Sequence, residues 1–176
     1  MRRTLLTLTL LIFTLLATNV QDSKAQNVDA NNLPKTSAKS NGNKIYYVAS
    51  TVISVHPSNF NVPIVSNEWN DETKEGVITF KGAVTEIGDR AFFWCVAFSS
   101  VTLPDSVTKI GSEAFTGCSR LVDLYCRVTT PPTAGTDIFS DTAPDHKIYV
   151  PRGSVEAYKA ADGWMEYTND IVGYDF

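Results

Sequence analysis

Histidine and cysteine are scarce in this 176-residue chain, with two of the first and three of the second. His56 and His146 stand at no ligand spacing with Cys95, Cys118 or Cys126, so the usual zinc patterns have no footing and no metal or other cofactor is expected. A glycine-rich phosphate loop and a G-x-S-x-G elbow are both missing, which removes the sequence basis for nucleotide hydrolysis and for α/β-hydrolase chemistry. Basic clusters are missing too. The formal charge is −4, and such a chain has no electrostatic reason to bind nucleic acid or anionic membranes. The apolar run from Leu5 to Ala17 is interrupted by threonines and soon followed by polar sequence, too short to read as a membrane span.

That run instead reads as an export signal, following the basic start at Arg2-Arg3 and ending at the small residues Ser23 and Ala25. An N-terminal membrane anchor is the alternative. Cleavage after Ala25 removes Arg2, Arg3, Lys24 and Asp22, leaving 12 basic and 18 acidic side chains and a charge of −6. Residues 26–43 carry almost no large apolar side chain and are expected to be a flexible linker, because they cannot bury enough surface to offset their ordering entropy. Residues 44–176 suit a single domain.

Within that domain a pattern repeats every 23 residues. Ile78 recurs as Val101 and Leu124, Phe80 as Leu103 and Cys126, Val84 as Val107, and Ile87-Gly88 as Ile110-Gly111. Ala91-Phe92 recurs as Ala114-Phe115, Cys95 as Cys118, and Phe98 as Leu121. A period of this size marks a solenoid, here of α/β type, in which each unit buries its apolar edge only against its neighbours. The segments Val77–Phe80, Ser100–Leu103 and Asp123–Cys126 alternate inward apolar with outward residues and are expected to pair as parallel strands. Thr79, Thr102 and Tyr125 then point outward. Pro104 fits a strand end, and Gly88 and Gly111 are expected at a bend whose conformation a Cβ would hinder. The Phe92/Phe115 column is expected to fill the core, and the segment around it to form a short helical turn or arch.

A looser unit follows, in which Ile138-Phe139 matches Ala114-Phe115 and Ile148–Pro151 matches Val101–Pro104. It puts Tyr149 in the outward column beside Tyr125. Thr129-Thr130-Pro131-Pro132 is expected to take the place of the Ile-Gly pair. Ser154 to Ala161 has helical spacing of Val155, Tyr158 and Ala161, with Ser154 as N-cap, Gly163 as stop and Trp164 beside it, and is expected to close the stack. Residues 44–75 have short apolar runs without the column pattern and are expected to be a β-rich N-terminal cap. Cys95 and Cys118, one above the other, are expected to stay unbridged, since stacked strands near 4.8 Å exceed the roughly 3.8 Å between bridged Cβ atoms.

The phrases VTEIGDRAFFWC and VTKIGSEAFTGC, with VTLPDSV between them, resemble the BspA-like leucine-rich repeats of exported and surface proteins of anaerobic Gram-negative bacteria. The ending TTPPTAG, IFSD and IYVPRGSVEAYKAADGW resembles the terminal cap that often follows them. Together they cover about residues 76–165. The resemblance implies a short leucine-rich repeat stack with parallel strands on one face (44–75 cap, 76–150 repeats, 151–176 C-terminal cap), no shared catalytic residues and, in larger members, adhesion to host matrix proteins or to other bacteria. This chain has fewer repeats than such adhesins and so a smaller face.

Three function classes remain. The first is a protein-binding module at the cell surface, outside the cell or in the periplasm, using the outward residues Tyr125, Tyr149, Thr102, Thr79, Arg127, Lys147 and Asp123. Neighbouring tyrosines with charged flanks suit protein interfaces, and equally they stabilise a sheet by about 0.2–1 kcal/mol per pair. The second is a carbohydrate-binding accessory protein, in which those tyrosines and Trp69, Trp94 or Trp164 stack on sugar rings; a tryptophan exposed beside the strand face favours it and buried tryptophans count against it. An enzyme is the third and weakest, since Asp145-His146 reads as loop charge. The carboxylates Glu68, Asp71, Glu72 and Glu75 match no calcium loop and read as a solvated acidic turn.

Overall fold

The computed structural model describes residues 42–176. The signal peptide expected over residues 1–25, and the linker expected over 26–43 apart from its last two residues, lie outside the described residues. Strands β1 (Lys44–Ala49), β2 (Ile64–Trp69), β3 (Glu75–Phe80), β4 (Glu86–Ile87), β5 (Phe98–Leu103), β6 (Lys109–Ile110), β7 (Asp123–Cys126), β8 (Thr133–Ala134) and β9 (Lys147–Pro151) precede the single short helix α1 (Val155–Ala160), and β10 (Ile171–Tyr174) follows it. The regular structure of the described residues is mostly sheet and forms no closed barrel.

Seven strands make one sheet in the order β10-β9-β7-β5-β1-β3-β2, and three two-residue strands make a second, β4-β6-β8. From β5 through β7 and β9 to β10 every pairing is parallel. The expected parallel pairing of Val77–Phe80 with Ser100–Leu103 is not what forms. β1 lies between β3 and β5 and pairs antiparallel with both. β3 and β5 still run in the same direction, so the 23-residue correspondence of Ile78 with Val101 survives one strand apart. The reason is in β1 itself: Ile45, Tyr47 and Ala49 alternate with Lys44, Tyr46 and Val48, and all three of the first set are buried. A strand with so apolar an inner face gains more by entering the sheet than by flanking it. Tyr47 fills the space that Gly76 leaves on β3, where a Cβ would collide with its ring, and its hydroxyl donates to Asn67 Oδ1 at 2.8 Å.

The small sheet shows why glycine follows each Ile of the repeat. Neither Gly88 nor Gly111 has a positive φ; what matters is close approach. A Cβ on Gly88 would lie 2.6 Å from the Asn59 carbonyl oxygen, and one on Gly111 would strike the Gly88-Asp89 backbone. The third unit keeps this device in a different place from the one expected. Ala134 pairs with Ile110, and Gly135 packs on Gly111 and Ser112, so Ala134-Gly135 replaces Ile-Gly rather than the Thr129–Pro132 segment.

Arches join the two sheets, and each carries two left-handed residues four apart: Arg90 and Trp94, Glu113 and Gly117, Asp137 and Asp141. Backbone bonds tie each arch to the next, Phe92 N–H to the Ala114 carbonyl (2.8 Å) and Phe115 N–H to that of Ile138 (3.0 Å). Inside them Phe92, Phe115 and Phe139 stack nearly parallel, with centroids 5.1 and 5.5 Å apart. Offset stacking of this kind adds to the burial of each ring. Edge-on rings close the column, Phe60 against Phe92 at one end and Tyr167 against Phe139 at the other.

At the C-terminal end α1 lies where expected, although Ser154 makes no side-chain cap bond and is buried instead. Gly163 adopts φ +77°, which suits a residue without Cβ just past a helix. Trp164 is fully buried and its indole N–H donates to the Pro132 carbonyl at 2.7 Å. The three cysteines are free. Burial raises the thiol pKa of Cys95 to about 11 and that of Cys118 to about 12.

Candidate functional site

Register on the outer face of the large sheet aligns one residue from each strand. Glu68, Val77, Tyr46, Thr102, Tyr125, Tyr149 and Val172 form a single row across all seven strands. Beside it run Glu75, Val48, Ser100, Asp123 and Lys147. Six of the seven expected binding residues therefore share one region. Thr79 does not join them, because β1 intervenes and pairs Thr79 with Lys44, two positions from the Tyr46 that faces Thr102.

Adjacency of the tyrosines is as expected: the Tyr125 and Tyr149 rings stack at 4.8 Å and 12°. Their exposure is not. Tyr125 is 0%, Thr102 1% and Tyr149 7% exposed. Thr102 is short and stands in register between the larger Tyr46 and Tyr125. Tyr174 of β10 sets its edge against both Tyr125 (6.0 Å) and Tyr149 (5.8 Å). Phe176 in turn meets Tyr174 edge-on at 4.8 Å, and the Arg127 guanidinium lies 4.8 Å from the Phe176 ring centre. The accessible part of the expected face is thus Tyr174, Phe176, Arg127, Lys147 and Asp123, resting on a buried tyrosine floor.

Electrostatics follow from that burial. Desolvation raises the phenol pKa of Tyr125, and raises that of Tyr149 to about 12, with the nearby Asp123 carboxylate contributing to both. Asp123 itself is raised, chiefly by burial, against the opposing hydrogen bond with the Tyr149 side chain. The Tyr125 hydroxyl is buried with no hydrogen-bond partner among the described residues. Lys147 Nζ donates to Asp170 Oδ1 at 3.1 Å.

Tyr174 and Phe176 escaped the sequence reading, yet their signal is the same period. Ile148, Tyr149, Val150 and Pro151 pair with Ile171, Val172, Gly173 and Tyr174, 23 residues on. Charges follow the step as well: Arg152 with Asp175, Lys147 with Asp170, Arg90 with Glu113 and Lys109 with Glu86. Weak hydrophobicity of Val172-Gly173-Tyr174 hides the unit from an eye tuned to Leu and Phe.

The other candidates do not assemble into chemistry. His146 Nδ1 meets the Thr142 hydroxyl and the Ala143 carbonyl, its Nε2 lies 3.8 Å from Asp170, and Asp145 is exposed. The acidic turn is closed locally, with Asn70 Oδ1 accepting the Glu72 and Thr73 amides and Lys74 pairing with Asp71. Among the described residues no three His, Cys, Asp or Glu side chains gather where they could hold a metal ion. Of the tryptophans, Trp164 is core and Trp69 lies in the inward row with Gly76 and Tyr47. Trp94 is exposed, but in an arch.

A family model for the BspA type leucine-rich repeat region matches residues 39–159, in six copies. The matched span takes in β1, β2 and β3 and so starts well before the two regular repeats. No curated protein matched the chain.

Proposed function

The chain belongs to the BspA-type leucine-rich repeat family, and on that premise we propose that it is an exported, non-catalytic protein-binding module. In this reading the described residues are a short α/β-type solenoid, with 44–75 as N-terminal cap, 76–150 as repeats and 151–176 as C-terminal cap. A signal peptide over residues 1–25 and a linker over 26–43 precede it. Leucine-rich repeats commonly mediate protein interaction, since stacked units present a regular surface. Members of this family are generally exported or surface proteins. Among the described residues no helix is long and apolar enough to cross a membrane.

The observation that carries the reading is the ring cluster on the outer sheet face. Tyr174 stands on the stacked Tyr125-Tyr149 pair and Phe176 on Tyr174, with Arg127 against Phe176 and Asp123 and Lys147 in the neighbouring row. A rigid aromatic centre inside a charged rim is the composition protein interfaces favour, because little side-chain entropy is lost on binding. The partner on this reading is a host matrix protein or a bacterial surface protein.

The test is an array of matrix and bacterial surface proteins probed with the chain from Gln26 onward, alongside Tyr174→Ala and Lys147→Glu variants whose melting transitions are checked first. A specific protein bound by the wild type and lost in both folded variants supports the proposal. Silence across the array, or binding indifferent to both changes, refutes the assignment of this face. For the carbohydrate reading, Trp164 is core and Trp69 lies in the inward row, which leaves Trp94, in an arch away from this face, as the exposed tryptophan.

A further inference from the structure

Successive arches are built on the same backbone, so each serves as a control for the others. At three neighbouring columns the first arch departs from the pattern. Phe93, Trp94 and Val96 stand where the second arch has Thr116, Gly117 and Ser119. Packing does not demand the change: Trp94 is 62% and Phe93 41% exposed, and Val96 and the nearby Val52 are exposed too. Backbone preference opposes it. Trp94 sits at φ +56°, in the column where Gly117 and Asp141 sit at +76° and +54°. A bulky side chain in that region costs stability relative to glycine or a short polar residue.

The local geometry holds the indole as a platform. Its inner face lies against Gly117, where a Cβ would come within 2.9 Å of the ring. Phe93 meets it edge-on at 6.4 Å and 72°, and Phe93 is itself held by the Arg90 guanidinium 5.4 Å above its ring. Arg90 is fixed by two bonds to Glu113, at 2.9 and 3.0 Å. Between this corner and the segment from Val52 to His56 lies a cleft of about 450 Å³. Volumes of this order are ordinary for small-ligand sites.

Charge narrows the class of ligand. Arg90 is paired with Glu113, no carboxylate lines the cleft, and the other polar groups at the rim are backbone, the Ser54 side chain and the His56 imidazole, whose Nδ1 meets the Ser58 hydroxyl at 2.8 Å. No carboxylate and no unpaired guanidinium or ammonium group is there to draw an ion. What fits is a neutral molecule with one apolar face and a polar edge, and a pyranose ring is such a molecule: its axial C–H bonds cover an aromatic plane while its equatorial hydroxyls point outward.

We propose that the Trp94-Phe93 corner and its cleft are a saccharide-binding site, separate from the ring cluster on the outer sheet face. The indole supplies the stacking plane, and the Arg90-Glu113 fork, Ser54 and His56 supply hydrogen bonds at the rim.

The test titrates the folded protein with cellobiose, maltose, lactose and chitobiose, following tryptophan fluorescence and saturation transfer to the sugar C–H protons. Two variants borrow the second arch's residues and so keep the backbone's preferred chemistry, Trp94→Gly and Phe93→Thr. At least one disaccharide is expected to bind with millimolar or better affinity, and Trp94→Gly to weaken it by roughly tenfold or more. Tyr174→Ala is expected to leave that binding unchanged, which keeps this site and the proposed protein face separately testable. No response to any of the four sugars, or equal binding by both arch variants, overturns the proposal. A protein captured through Trp94 in the absence of any sugar response overturns it as well.

Discussion

Asp123 illustrates how one residue's chemistry depends on its neighbours. Its carboxyl is pushed above the usual range by burial between the tyrosine row and Ser100, with the Tyr149 hydroxyl bond pulling the other way. A raised folded-state value means that the folded form binds its proton more tightly than the unfolded form. Its contribution to stability is therefore complete below the ordinary aspartate value and is lost as pH rises through the raised one. Asp123→Asn, neutral at every pH, should melt at or near the wild-type temperature in acid and above it at neutral pH. Thermal melts of both proteins across pH measure this directly. A constant difference at all pH values would assign the effect to shape rather than charge. Glu113 and Asp175 behave oppositely, since hydrogen bonds from Arg90 and Arg152 lower them, and their contribution fades as pH falls through the lowered values.

At the scale of the element, spacing between repeats is set by the glycine that ends each short strand of the small sheet. Gly111 lies so close to the Gly88-Asp89 backbone that a methyl group has no room, and the Asp89 carboxylate accepts the Ser112 amide at 2.8 Å just beside it. Gly111→Ala should separate the first two units and cost about 1–3 kcal/mol, as overpacking does elsewhere. Denaturant unfolding measures the loss. The same change at Gly153, which has nothing within 4 Å of its added Cβ, should leave stability nearly unchanged. Both glycines of the repeat were visible in the sequence, but their reason was not. Periodicity shows that a position tolerates only glycine. It does not separate a positive φ from a close approach, and at Gly88 and Gly111 the contact alone decides.

Over the whole molecule, the strand order places β10 at one edge of the large sheet, where its Tyr174 covers Tyr149 and Tyr125. A chain ended at Asp170 should keep the Phe92-Phe115-Phe139 column, whose ring stacking involves none of the lost residues. It should nevertheless expose the tyrosine pair and unpair the edge of β9 that faces β10. Hydrogen exchange would read this as lost protection on that edge of β9, with Lys147, whose amide bonds the Val122 carbonyl, and β5 little affected. Uniform loss across β5, β7 and β9 would mean that β10 is needed for the fold as a unit. The 23-residue step runs through this strand too, from Ile148 to Ile171 and from Arg152 to Asp175. Its signal in the sequence is weak because a valine-glycine-tyrosine strand lacks the large aliphatic side chains that mark the earlier units.

The sequence alone determined the repeat, its family, the parallel pairing of β5, β7 and β9, the phenylalanine column and the place of α1. These are local or periodic properties: each follows from which residue recurs at which step, and identical steps must stack alike. Three things waited for the tertiary structure. β1 was inserted between β3 and β5 because its Ile45, Tyr47 and Ala49 face needed burial, and no repeat pattern marks a strand that runs the other way. Tyr125 and Thr102 went from outward to covered because outwardness is a property of a strand, whereas exposure depends on what the rest of the chain lays over it. Trp94 stayed in the open for the converse reason, since the arch fixes its backbone, Gly117 supports one face of its ring, and the other side is left to solvent.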